Sequence, residues 1–210
     1  MCANYTPTRL ERLRAHFACS PVAPYPDETW PGYAAPFIRR ARGDVGYSRE
    51  ACTGLFGLVP YWSKDLTIGR RTYNARSETA AEKPSFRDPW RFGRKCIVAA
   101  EAIFEPSWET GKAVRWRISR ADGAPMGIAG LWGSWRSPDD AQVLSFTMLT
   151  VNATGHEVMK RFHKPQEEKR MIVVLDEADY DAWLEAPLAS TADFMKLYPP
   201  AALKAEPAPL

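Results

Sequence analysis

Little in this chain points to the commonest site chemistries. Its four cysteines, Cys2, Cys19, Cys52 and Cys96, form no CxxC pair and no zinc-like spacing, so they read as free thiols of a reducing cytoplasmic compartment. There is no GxxxxGK(S/T) loop, no GxGxxG, no HExxH and no GxSxG, which removes the usual support for nucleotide, metalloprotease and serine-hydrolase readings. No stretch approaches the roughly 18 apolar residues of a membrane helix, and the opening MCANYTPTRLERLR lacks the apolar segment of a secretory leader. Charge of one sign is scarce too. Lys plus Arg number 28 against 25 Asp plus Glu, a net +3, so any surface for a polyanion must be concentrated locally.

What remains is an ordinary globular composition, 45% hydrophobic over 210 residues, enough to bury roughly 70% of the unfolded chain's surface in one core. One domain is expected over residues 1–198, with a loose tail over 199–210. Leu10, Leu13 and Phe17 recur at helical spacing, and Thr6-Pro7 or Thr8 with Glu11 is placed to cap that helix. The run SPVAPYPDETWPGYAAPF holds five prolines and predicts an ordered loop that no helix or central strand crosses. Six short β-like runs follow: GLFGLVPYW, KCIVAAEAIF, AVRWRISR, PMGIAGLW, VLSFTMLTVNA and RMIVVL. In AVRWRISR the apolar Val114, Trp116 and Ile118 alternate with Arg115, Arg117 and Ser119, the period of a strand with a solvated, basic face. TGHEVMKRF, DEADYDAWLE and STADFMKLY read as helices. Strands and helices do not alternate strictly, so the expected class is α+β around a mostly antiparallel, barrel-like sheet with flanking helices.

The least common chemical feature is Cys2. Removal of Met1 leaves an α-amine and a thiol on one residue, able to close a five-membered ring with an aldehyde. Their reference pKa values, about 7.7–8.0 and about 8.5, predict both to be partly nucleophilic near neutral pH. Trp62 and Tyr61 are candidates for stacking on unpaired bases, with core packing as the plainer role for Trp62. The arginine pairs Arg39-Arg40 and Arg70-Arg71 are candidates for a phosphate-binding groove, with solvated surface charge as the alternative. Cys19, Cys52 and Cys96 read as small buried hydrophobes.

Several segments together resemble one family. Met1-Cys2-Ala3-Asn4-Tyr5 keeps the cysteine and aromatic of an MCGR start; Ala35-Pro36 closes a loop; Phe56–Trp62 is similar to WGLIPxW; and Asn74-Ala75-Arg76-Ser77-Glu78-Thr79 matches a motif unchanged. Ala102–Pro106 stands for GF(Y/W)EW, residues 128–132 and 145–150 are similar to paired strands, and Phe162-His163 precedes Arg170-Met171-Ile172 where the pattern reads IHxRMP. The pattern resembles the SRAP (SOS response-associated peptidase) family, whose members shield abasic sites in single-stranded DNA.

The resemblance implies a barrel-like α+β fold and a covalent thiazolidine between Cys2 and the abasic aldehyde. Met1 would be removed by the protein itself or by an aminopeptidase, with β-elimination of the strand as a side activity. It further implies Glu105 as a proton carrier, His163 assisting deoxyribose ring opening, Asn74 positioning the sugar and Arg76 on a phosphate. The implied partner is single-stranded DNA containing abasic sites, bound by a cytoplasmic monomer without metal or cofactor. Plainer roles exist for each residue: a turn-forming Asn74, an Arg76 ion pair, a structural Glu105. A single-stranded DNA module that does not crosslink and an N-terminal-nucleophile amidase or peptidase are the alternative functions.

Overall fold

The apolar runs fold into an 11-stranded sheet in the computed structural model, which describes residues 2–20, 23–41, 43 and 48–209. The strands are β1 (Asn4–Pro7), β2 (Ala34–Arg40), β3 (Arg49–Phe56), β4 (Asn74–Arg76), β5 (Lys95–Ser107), β6 (Val114–Arg120), β7 (Met126–Arg136), β8 (Gln142–Asn152), β9 (Arg170–Ile172), β10 (Val174–Leu175) and β11 (Leu203–Pro207). Pairing runs β7–β8–β3–β2–β5, and β5 pairs back onto β7, so five strands close into a barrel and need no protected edge. All pairings are antiparallel except β3 and β4 on β8. The α+β class with a barrel core is therefore what the chain forms.

β5 organises the rest. Its first half pairs with β2 and β7, whereas its second half leaves the barrel to pair with β1 and β6. Covered on both faces, it reads in sequence as a continuous apolar run rather than an alternation. Phe37, Phe56 and Phe146 fill the core with ring centroids 5.5–5.6 Å apart. Outside it, α3 (Tyr180–Glu185) anchors through Trp183, whose indole N–H donates to the Cys96 carbonyl at 2.8 Å. The ring of Tyr180 stacks on Phe17 of α1 (Leu10–Phe17). A further short helix, α2, spans Arg87–Arg91.

Several expectations are corrected. Arg9, not a threonine, holds the N-cap position of α1, and no side chain caps it, because Thr6 and Pro7 are committed to β1. Pro36 lies inside β2 opposite Thr53. It is tolerated because β2 meets β5 only through Ile38 and Ile97, leaving no ladder bond for the missing N–H. The run GLFGLVPYW is strand only to Phe56, since Gly57 turns the chain at φ 117°. TGHEVMKRF yields a single 3-10 turn, Met159–Arg161, because the Nδ1 of His156 takes up the Val158 and Met159 N–H groups and its Nε2 meets the Tyr198 carbonyl. Of STADFMKLY only Ser190–Phe194 falls in a 3-10 segment, Leu188–Phe194, and RMIVVL divides between β9 and β10.

The tail is not loose. β11 pairs with β6 from Leu203 opposite Arg120 to Pro207 opposite Trp116. The basic face expected of β6 is closed as well: Arg115 binds Asn4 and Glu28, and Arg117 pairs with Ser119 and Glu206. Among the described residues no helix is long and apolar enough to cross a membrane.

Gly57 offers a sharp test of the turn. A Cβ there would stand 2.1 Å from the Gly69 carbonyl oxygen, whereas one at Gly123, also left-handed, would meet nothing within 4 Å. Gly123→Ala should cost only the left-handed penalty of about 1–2 kcal/mol. Gly57→Ala should cost about 3 kcal/mol or more because backbone must move, and urea denaturation of both variants measures the difference.

Candidate active site

The β1–β5 pairing places Asn4 opposite Phe104, so the residues just before β1 lie along the end of β5 that carries Glu105. Cys2 is buried there, 1% exposed. Burial pushes its thiol far above the ordinary value, and the neighbouring Glu105 carboxylate pushes it further. Burial thus disfavours the thiolate, with the chain's N-terminal ammonium acting the other way. Asn4 fixes the segment. Its side chain donates to the Thr29 carbonyl and to Glu28 and accepts from Arg115, whose guanidinium lies 3.4 Å from the Phe104 ring centroid.

Glu105 is itself buried, and His163 approaches it from another direction, with Nε2 3.3 Å from the Glu105 Oε2. His163 is a non-glycine residue at φ 64°, a conformation that carries strain of order 1–2 kcal/mol. Its N–H donates to the Pro106 carbonyl at 3.1 Å. The two side chains are close but not aligned as a hydrogen bond, and neither ring nitrogen of His163 has a hydrogen-bond partner. Asn74 Nδ2 donates to the Tyr73 carbonyl at 2.9 Å while its Oδ1 is buried and unpartnered. Native interiors seldom leave such atoms unpaired.

Tyr73 belongs to the same place and was missed in the sequence. Burial raises its phenol, and the Glu105 carboxylate and Cys2 raise it further. The one available signal was its position directly before the intact Asn74–Thr79 motif. Cys2 and His163 are each brought to Glu105, whereas the Asn74 side chain, among the described residues, bonds only to the main-chain carbonyl of the neighbouring Tyr73. Among the described residues no group of three or more His, Cys, Asp or Glu is placed to hold a metal ion.

Arg76 shares a strand face with Asn74, two residues away on β4. Half-exposed, it pairs with Glu168 at 2.8 Å. Glu168 also binds Arg170, a buried guanidinium that grips both carboxylate oxygens of Glu78 at 2.8–3.0 Å. Trp62 and Tyr61 are exposed, at 45% and 66%. Arg70 and Arg71, both exposed, end a 3-10 turn, Thr67–Arg71. Arg39 and Arg40 are elsewhere: Ile38 pairs with Ile97, eight residues from Glu105 along β5, or about 26 Å at ~3.3 Å per residue. Arg39 pairs with Glu50 and lies over the Trp132 ring, and Arg40 pairs with Glu185.

Comparison with known proteins places the chain in a family. The family model for SOS response associated peptidase (SRAP) matches residues 1–208. The chain belongs to the SRAP family. Among curated proteins it is similar to abasic site processing protein YoqW of Bacillus subtilis, 31% identical over 144 residues, 67% of this chain and 59% of that protein. It is also similar to abasic site processing protein YMR114C of Saccharomyces cerevisiae, 33% identical over 153 residues, 69% of this chain and 38% of that protein. The chain thus spans well under two thirds of these relatives' lengths. A crystal structure from Bordetella bronchiseptica, 42% identical, superposes with a TM-score of 0.93 and full coverage of both chains. One from Bacteroides thetaiotaomicron, 20% identical, shares the fold at 0.83, covering 98% of this SRAP chain and 91% of its own.

The Arg170 cluster makes stability acid-sensitive. The hydrogen bond from Arg170 foremost holds Glu168 below its ordinary value. At Glu78 burial acts upward, but the Arg170 hydrogen bond and charge, with backbone donors, outweigh it. Folded-state values below the unfolded one give stability that is complete above about pH 4.3 and lost as pH falls through the folded values. Glu78→Gln should therefore shrink the loss of unfolding free energy between pH 6 and pH 3, by no more than about 1 kcal/mol for a carboxylate half-exposed to solvent; urea titrations at the two pH values measure it.

Proposed function

We propose that this protein captures abasic sites in single-stranded DNA as a covalent thiazolidine on Cys2. The observation that carries the reading is the buried meeting of Cys2, Glu105 and His163, the last two 3.3 Å apart. The names of the curated relatives, abasic site processing proteins, agree with it.

The reading requires hydrolysis of the Met1–Cys2 peptide bond, consuming one water; Met1 itself lies outside the described residues. Glu105 would accept the proton from that water if the step is autocatalytic. His163 would then donate a proton to the ring oxygen as the deoxyribose opens to the C1′ aldehyde. The Cys2 amine adds to C1′, the carbinolamine loses water to an imine, and the neutral thiol adds its sulfur to the same carbon while its proton passes to nitrogen. Aldehyde, amine and thiol become thiazolidine plus one water. A neutral, buried thiol suits this last step, since it brings both the sulfur and the proton. β-Elimination from the imine is the competing strand-scission route.

Arg76 would hold an adjacent phosphate after exchanging its Glu168 partner, with Asn74 on the sugar, Trp62 and Tyr61 stacking on bases and Arg71 extending the groove. Arg39 and Arg40, committed to Glu50, Trp132 and Glu185 far along β5, are left out of the proposed groove.

The deciding experiment is incubation with abasic single-stranded DNA followed by a denaturing gel. Wild type should give a heat-stable adduct and Cys2→Ala none. Both Cys2→Ala and Cys2→Ser keep the α-amine once Met1 is removed and should give an adduct only with borohydride. Binding without any adduct would assign the protein to non-crosslinking modules, and cleavage of peptides without DNA would assign it to amidases.

Non-covalent affinity should fall with salt. Arg76→Ala should weaken it across sequences and lower the log–log salt slope by about 0.7, the value of one released counterion on a single strand. Fluorescence anisotropy at four salt concentrations reads both.

A further inference from the structure

The segment between His163 and Arg170 has six residues, Lys164–Lys169, and a loop of that length needs an anchor if it is to hold a side chain at a fixed point. The anchor is the last residue of the loop. Lys169 Nζ donates to the carbonyl oxygens of Phe162, His163 and Lys164 at 2.9, 3.1 and 2.8 Å. An ammonium has three hydrogens, and all three go to consecutive peptide oxygens around His163. On the other side the His163 N–H is held by the Pro106 carbonyl at 3.1 Å. Both peptide groups flanking the His163 Cα are thus pinned, which fixes a left-handed φ of 64° that the residue would not keep unaided. Holding that backbone sets the imidazole beside Glu105.

We infer that Lys169 is a positioning residue for His163, its ammonium replacing a short connection as the device that keeps the imidazole in the site. For its effect on rate the inference rests on the crosslinking reading above; for its effect on His163 itself it does not.

Lys169→Met removes the donors and keeps most of the stem, whereas Lys169→Arg keeps donors within reach. At saturating abasic single-stranded DNA, Lys169→Met should form adduct roughly ten- to a hundred-fold more slowly, the scale of an ångström's misplacement. The half-saturating DNA concentration should not move, and Lys169→Arg should recover most of the rate. In a His163→Ala background Lys169→Met should cause no further slowing; a further slowing equal to that in wild type would mean general loop damage and overturn the inference. A second readout needs no DNA. The chain has three histidines, so the His163 ring resonance is assignable by NMR from its loss in His163→Ala. Lys169→Met should shift it and leave those of His16 and His156 in place. An unshifted His163 resonance overturns the inference whether or not the protein crosslinks DNA, while a wild type that forms no adduct overturns only the function proposed above.

Discussion

The backbone ladder of β5 is the interaction on which both the fold and the site depend. Near Ile97 it is held between β2 and β7 and closes the barrel; from Ala100 onward it is held by β1, and from Ile103 also by β6. Glu105 therefore sits on a strand whose other end is locked in the core, and it inherits that rigidity. Cys2 reaches Glu105 only because β1 joins the same strand, and His163 because its N–H bonds to Pro106, the next residue along it. Three functional groups from distant parts of the sequence thus share a single mechanical reference. A slip of one residue in the β1–β5 register would turn every β1 side chain to the opposite face.

Burial in such a site has a chemical sense. A buried cysteine thiol is shielded from oxidants and stray electrophiles. Order in the segment before β1 is a further requirement of such a site. It is supplied by polar contacts of Asn4 with Glu28, Thr29 and Arg115 rather than by apolar packing alone. Arg115 in turn is steadied by the face of Phe104, so the residue next to Glu105 helps hold the segment that carries Cys2.

How much of this was legible follows from how each part is stabilised. The barrel strands β5, β7 and β8 and the Tyr180–Glu185 helix are written in long apolar or periodic runs, and periodicity finds them. Strands β1, β2, β4 and β11 are short, two of them proline-containing within NYTP and LKAEP and one built across Pro36, and they exist because a neighbour offers a ladder; nothing local announces them. The site residues were found through motif spacing, not physics, and physics then altered the account. The burial of Cys2 could not be read because burial is a tertiary property. Tyr73 was missed because an aromatic before a strand has no periodic signature. Arg39 and Arg40 were over-read because a dibasic pair looks the same whether it faces solvent or is bound to Glu50 and Glu185.

The strand at Leu203–Pro207 carries a consequence for how copies of the chain behave. β6 would otherwise end the sheet with a row of unpaired N–H and C=O groups, a template for strand addition by another molecule. By supplying its own partner in cis, the chain occupies that template, and Pro207 withholds a donor at the new boundary while Lys204 and Glu206 place charge along it. Shortening the chain before Leu203 would expose the edge of β6 and turn a covered side of the sheet into an adhesive one.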